Sequence, residues 1–141
     1  MERRSNRRLQ QNGNQPESPE RAALEALVEA VVGAAYEVSN VLGAGFLEKL
    51  YERALIEELR LRGIPTAAQV TFPVAYKGRH LGTYAADLVV DGRLLVEIKC
   101  VEHLTNEHLA QCINYLRATG LGICLLLNFG SPRLEIKRVA L

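Results

Sequence analysis

The stretch that most constrains this chain is residues 82–99, Gly-Thr-Tyr-Ala-Ala-Asp87-Leu-Val-Val-Asp91-Gly92-Arg-Leu-Leu-Val-Glu97-Ile-Lys99. Two runs rich in β-branched and aliphatic residues flank an Asp-Gly turn signal, a pattern that predicts a β-hairpin. Side chains alternate faces along a strand, so Glu97 and Lys99 share a face with Leu95 and Val101. Leu94, Val96, Ile98 and Cys100 take the other face, which is continuous apolar core. A carboxylate and an ammonium thus stand in a strand too hydrophobic to lie on the surface.

Asp87 offers a reason for them. Opposed residues of an antiparallel pair have numbers that sum to a constant, so Asp87 meets Glu97 only if the connection is odd in length. A two-residue Asp91-Gly92 turn sets Asp87 against Val96. A three-residue connection, or a bulge at Gly92, brings the two carboxylates side by side. Two anions about 4 Å apart repel by roughly 4 kcal/mol at an effective dielectric of about 20, so the pair needs a proton or a cation. Lys99 supplies one positive charge; a divalent metal held by oxygen ligands is the other solution.

A length of 141 residues fits one domain with a real core. Arg3, Arg4, Arg7 and Arg8 against Glu2 put +3 on the first fifteen residues, leaving −2 of the +1 total for the remainder. A slightly acidic folded part argues against a strong, general phosphate-binding surface. Cys100, Cys112 and Cys124 lack Cys-x-x-Cys spacing and are expected as small core residues of a reduced, cytoplasmic protein. No run is long enough to span a membrane, and the basic start leads into polar Gln10–Asn14, not an apolar signal core.

Residues 1–17 are polar, basic and broken by Pro and Gly, so they are expected to be a disordered arm, with the domain over 18–141. Ser18-Pro19-Glu20 is a helix start, and Leu24, Leu27, Val28, Val31, Val32, Ala35 and Val38 mark its buried face up to Gly43. A second helix is expected from about Phe46 to Arg62, with Phe46, Leu47, Leu50, Tyr51, Ala54 and Leu55 as its apolar stripe and Glu48 on the shoulder. Strands follow at Gln69–Tyr76, into Asp87, and up to Lys99, the first pair joined by a turn at Lys77-Gly78-Arg79. Thr105 caps a helix whose core face is Leu109, Cys112, Ile113 and Leu116. His108, Gln111 and Tyr115 form a separate polar stripe on it. Strands at Ile123–Phe129 and Leu134–Val139 close the chain. The order ααβββαββ is an α/β (mixed α+β) arrangement, a mixed central sheet flanked by helices. His80, His103 and His108 show no ligand spacing, and none is assigned to a site.

An acidic residue on a helix, an Asp on one strand, Glu-x-Lys on the next and Gln-x-x-x-Tyr on a later helix resembles the layout of the PD-(D/E)XK nuclease superfamily. Gly45-Phe-Leu-Glu48-Lys-Leu-Tyr51 also resembles the signature of the GxxExxY proteins, a family assigned to that superfamily. The likeness spans roughly residues 20–141, with Ala86 where the superfamily name has proline. It implies a restriction-endonuclease-like core. By that pattern Asp87 and Glu97, joined by Glu48, hold the metal, and Glu48, Asp87, Glu97 and Lys99 form the catalytic set. Tyr51, Gln111 and Tyr115 support the site or contact substrate.

The chemistry implied is phosphodiester hydrolysis of DNA or RNA with Mg²⁺ or Mn²⁺, the ion polarising the phosphate and Lys99 stabilising the developing anion. The alternative is a non-catalytic nucleic-acid- or protein-binding accessory module that retains the fold. An intact Asp87, Glu97 and Lys99 set favours the enzyme; the acidic folded part, without an evident basic, aromatic groove, favours the module. Nucleic acid is the expected partner if the protein is an enzyme, no membrane is expected, and a homodimer is compatible with the sequence.

Overall fold

The computed structural model describes residues 18–141. The arm before Ser18 lies outside them. Eight elements follow one another: α1 (Pro19–Leu42), α2 (Glu48–Leu61), β1 (Thr66–Tyr76), β2 (Arg79–Val90), β3 (Leu94–Lys99), α3 (Asn106–Thr119), β4 (Ile123–Asn128) and β5 (Glu135–Ala140). This is the ααβββαββ order, built as a five-stranded mixed sheet with helices on both faces. The strands lie in sequence order. All neighbours are antiparallel except β3 and β4, which run parallel with α3 as their crossover.

Each boundary has a local cause. The Ser18 hydroxyl accepts from the Arg21 N–H, and Pro19 stands where a missing N–H costs nothing. Gly120, left-handed at φ 73°, ends α3 and donates to the Leu116 carbonyl. β1 begins three residues before the expected Gln69. Thr66-Ala67-Ala68 has weak strand propensity alone, but it pairs with the buried segment Leu88–Val90.

The sheet divides two cores. On one face α1 and α2 cover Leu88, Val90, Leu94, Val96, Ile98, Leu125 and Leu127 with Val31, Ala35, Leu55 and Leu59. On the other, α3 lays Cys112 and Leu116 over Ala86, Val89, Leu95, Cys124 and Leu126. The stripe expected on α2 is corrected here. Phe46, Leu47 and Leu50 are exposed, and the inward face is Tyr51, Glu52, Leu55 and Leu59. Glu52 can be buried because Lys49 and Gln69 both donate to its carboxylate.

Candidate active site

The β2–β3 connection is Asp91-Gly92-Arg93, three residues, with Leu88 opposite Val96 and Val90 opposite Leu94. Asp91 and Gly92 both take positive φ, 51° and 66°, and Arg93 N–H closes the turn on the Val90 carbonyl. This odd length puts Asp87 next in register with Glu97. The regular ladder stops one pair short of them. Beyond that point, side chains replace ladder bonds. Asp87 Oδ2 accepts from the Ile98 N–H at 2.8 Å, and Glu97 Oε1 accepts from the Asp87 N–H at 3.4 Å.

The same place carries a break on both strands of the first hairpin. Ala86 packs in the α3 core, Leu88 in the opposite core and Val89 again under α3, so the alternation slips by one residue around Asp87. Opposite Asp87 on β1 stands Gln69, omitted from the ladder between the Ala68–Leu88 and Val70–Ala86 pairs. Its φ of 53° is one that non-glycine residues adopt rarely. The turn in the backbone lets its amide reach Glu52 Oε1 at 3.1 Å. Backbone irregularity of this kind clusters at functional sites.

Glu97 is 5% exposed. Burial first, then the charge of Asp87, push its carboxyl up to about 8, against the opposing effect of the Tyr84 phenol that donates to Oε1. Burial and that same hydrogen bond hold the Tyr84 hydroxyl far above the ordinary phenol range, so it remains a neutral donor. Tyr84 lies flat between two rings, at 3.9 Å from Tyr115 and 6.3 Å from Phe72. Burial, followed by the nearby Glu97, raises the Tyr115 hydroxyl in turn.

Glu48 approaches from α2. It is an exposed residue in the first turn, at the positive end of the helix dipole. Its carboxyl is raised by burial and then by Asp87, and lowered by Lys99, so it shares a field with both. Glu48 and Lys99 line one open cleft with Phe46, Leu47, Cys100, Val101 and His108. Tyr51 holds the approach in place without reaching the cleft. It is fully buried, its hydroxyl donates to the Gly43 carbonyl at 2.6 Å and accepts from the Phe46 N–H at 3.2 Å, and its ring stacks on Phe129 at 4.8 Å. The His108 Nδ1 accepts from the Thr105 N–H at 3.0 Å, which places the proton of the neutral ring on Nε2. Gln111 is exposed one turn from Tyr115, and its side chain makes no hydrogen bond among the described residues.

The structure therefore brings Asp87, Glu97, Lys99, Glu48 and Tyr115 to one end of the sheet, with Tyr51 beneath. Three contributors escaped the sequence. Glu52 carried a signal, since it lies four residues after Glu48 on the same helix face. Tyr84 falls on Glu97's side only because the strand slips, and nothing in the residue type of Gln69 announces a left-handed backbone.

A family model described as the PD-(D/E)XK nuclease superfamily matches residues 25–139. The chain belongs to the PD-(D/E)XK nuclease superfamily. No curated protein matches the sequence. Among solved structures, the crystal structure of SSO0001 is similar with a TM-score of 0.53 at 15% identity, over 96% of this chain and 74% of that one. At that identity the likeness is one of fold. Nucleases of the superfamily generally depend on a divalent metal, and the residues here suit one. Protein donors hold Glu97 Oε1 and Asp87 Oδ2, and burial beside Asp87 makes a charged Glu97 costly without a cation. Among the described residues no three such donors converge to enclose an ion unaided. Two carboxylates are the usual protein share for Mg²⁺, with waters and substrate oxygens completing the shell.

Proposed function

We propose that this superfamily member is a Mg²⁺- or Mn²⁺-dependent nuclease that hydrolyses phosphodiester bonds at the Asp87–Glu97–Lys99 end of the sheet. The observation that carries the reading is the buried Glu97 carboxyl beside half-buried Asp87 at the end of the β2–β3 ladder, with Lys99 two residues on lining a cleft that Glu48 shares. A structural salt bridge needs no such cleft, and carboxyls raised by burial beside a second carboxylate cluster at functional sites.

Asp87 and Glu97 would hold the ion, with Glu48 joining them from α2 through a bound water. When bound, a divalent cation polarises the phosphate and lowers the pKa of its water. Tyr84 and the Asp87 N–H hold the Glu97 carboxylate by Oε1, and Oε2 would serve the ion. The Ile98 N–H does the same for Asp87. Lys99, a donor with no lone pair when protonated, cannot ligate a metal and acts on the anion that builds at phosphorus. Glu48, with Tyr51 bracing its loop as the Gly45–Glu48–Tyr51 pattern suggests, is also placed to orient water. Gln111 and Tyr115 flank the strand of substrate nearest α3.

The test is cleavage of mixed DNA and RNA substrates with Mg²⁺ or Mn²⁺ by wild type and Lys99→Ala. Lys99→Ala should keep metal binding and lose about 10²–10³ in rate, the usual cost of one preorganised electrostatic contact. Wild type that cleaves nothing with either ion supports the accessory-module reading instead.

A further inference from the structure

We infer that the β1–β2 hairpin is a duplex-DNA contact, a cationic ribbon that seats in the major groove while the backbone enters the cleft below; this rests on the nuclease reading of that cleft.

The ribbon is long and unsupported on one side. β1 and β2 pair from Thr66–Val90 to Tyr76–Arg79, whereas β3 pairs with β2 only over Leu88–Val90. Residues 70–86 thus run on as two strands, resting on α3 through the Phe72, Tyr84 and Tyr115 stack. The pairing shifts between Val74 and Ala75, which leaves Leu81 as an extra residue on β2, 63% exposed. Such a bulge re-aims the strand end. The tip turns on Lys77 and Gly78, both at positive φ. Tyr76 is 60% exposed, with the Lys77 ammonium 5.4 Å from its ring centroid.

Charge distinguishes this element. No Asp or Glu occurs anywhere in residues 59–86, which hold Arg60, Arg62, Lys77 and Arg79. Arg60 and Arg62 are engaged by Glu57 and Glu58 on α2. Lys77 and Arg79 face no carboxylate in any ion pair among the described residues. Arg117 of α3 lines a cleft against Pro73, Val74 and Ala75, so a third cation flanks the ribbon. A chain that is net acidic beyond its first residues keeps this projecting element free of carboxylates and puts two cations at its tip, and the complementary partner is polyanionic.

Dimensions select the duplex. A two-stranded ribbon fits the B-DNA major groove, about 12 Å wide, whereas the deep, narrow A-form groove of RNA excludes it. Single-strand binders need a row of stacking aromatics, and the exposed tip has one tyrosine. From Arg79 to Asp87 is eight residues, about 25 Å along the strand at the usual rise. Contacts at the tip therefore fall several base pairs from the reacting phosphate.

The experiment is fluorescence anisotropy of the full chain with a labelled 24-base-pair DNA duplex, the matching RNA duplex and the single strand, all in EDTA. Lys77→Ala/Arg79→Ala should weaken DNA-duplex binding about tenfold and lower the slope of log affinity against log salt by about 1.8, two phosphate contacts' worth. The melting temperature should not move, because both side chains are exposed. Lys77→Glu should weaken duplex binding further. Wild-type affinity and slope in the double variant, or equal losses on duplex RNA or on the single strand, overturn the inference. Cleavage assays on the same proteins separate the two claims. Divalent-dependent cleavage with tip-independent binding overturns the ribbon and leaves the nuclease, while tip-dependent duplex binding without cleavage supports the ribbon and removes the nuclease.

Discussion

The two faces of the sheet do different work. Under α1 and α2 the buried core cluster is aliphatic apart from Tyr51 and Phe129, and the one buried charge on that side among the described residues, Glu52, is satisfied by Lys49 and Gln69. Under α3 the core is smaller and mixed: Glu97 is buried beside Leu95, Tyr84 and Tyr115 stack against it, and Cys112 and Cys124 complete it. The first face lowers the free energy of the fold. The second spends some of that stability to keep the Glu97 carboxyl out of water beside Asp87, where electrostatic effects are strong. The contrast explains why the strand slips at Asp87, where the two faces exchange residues.

The largest effect should come from the first face. Leu55→Ala, at a fully buried site, should cost about 2–5 kcal/mol by denaturant unfolding, with metal affinity unchanged in the folded fraction. An equal loss of metal affinity would show that the faces are not separable.

The second face should respond to pH with a definite sign. Glu97 is raised in the folded state to about 8 from an ordinary value of 4.5, so its stabilising share is complete below about 4.5 and is lost as pH rises through about 8. In EDTA, Glu97→Gln should match wild type near pH 5 and melt higher than wild type near pH 8.5. The gain should be at least about 4 °C, the shift produced by roughly 1 kcal/mol in a domain of this size. Parallel melting curves of the two proteins across that range would deny that the carboxyl is held neutral by burial.

Tyr84→Phe should be the mildest change. It removes one hydrogen bond to Glu97, worth about 0.5–1 kcal/mol while that carboxyl is neutral, and leaves the stack on Tyr115. Because that phenol lowers the Glu97 carboxyl, its loss should move the Glu97 titration upward, read by carboxyl NMR. A downward shift would contradict the assigned hydrogen bond.

Much of this was legible in the residues. The parity of the hairpin made the meeting of Asp87 and Glu97 depend on one odd-length connection, and Asp91-Gly92-Arg93 is that connection. The element order and the inward faces of α1 and α3 follow from simple periodicity. The inward face of α2 did not, because hydrophobicity alone ranks Phe46, Leu47 and Leu50 above a glutamate. Glu52 is buried only because Lys49 and Gln69 arrive from elsewhere to satisfy it. Tyr84 was hidden for a related reason. An unbroken strand puts positions 84 and 97 out of reach, and the slip that joins them is set by packing on two sides of the sheet at once.

The most direct test of the central claim is calorimetric titration of Mn²⁺ into the full chain and into Asp87→Ala at neutral pH. The account predicts saturable binding to wild type, accompanied by proton release as Glu97 ionises, and no binding to Asp87→Ala. Absence of binding to wild type, or equal binding to both proteins, would contradict it.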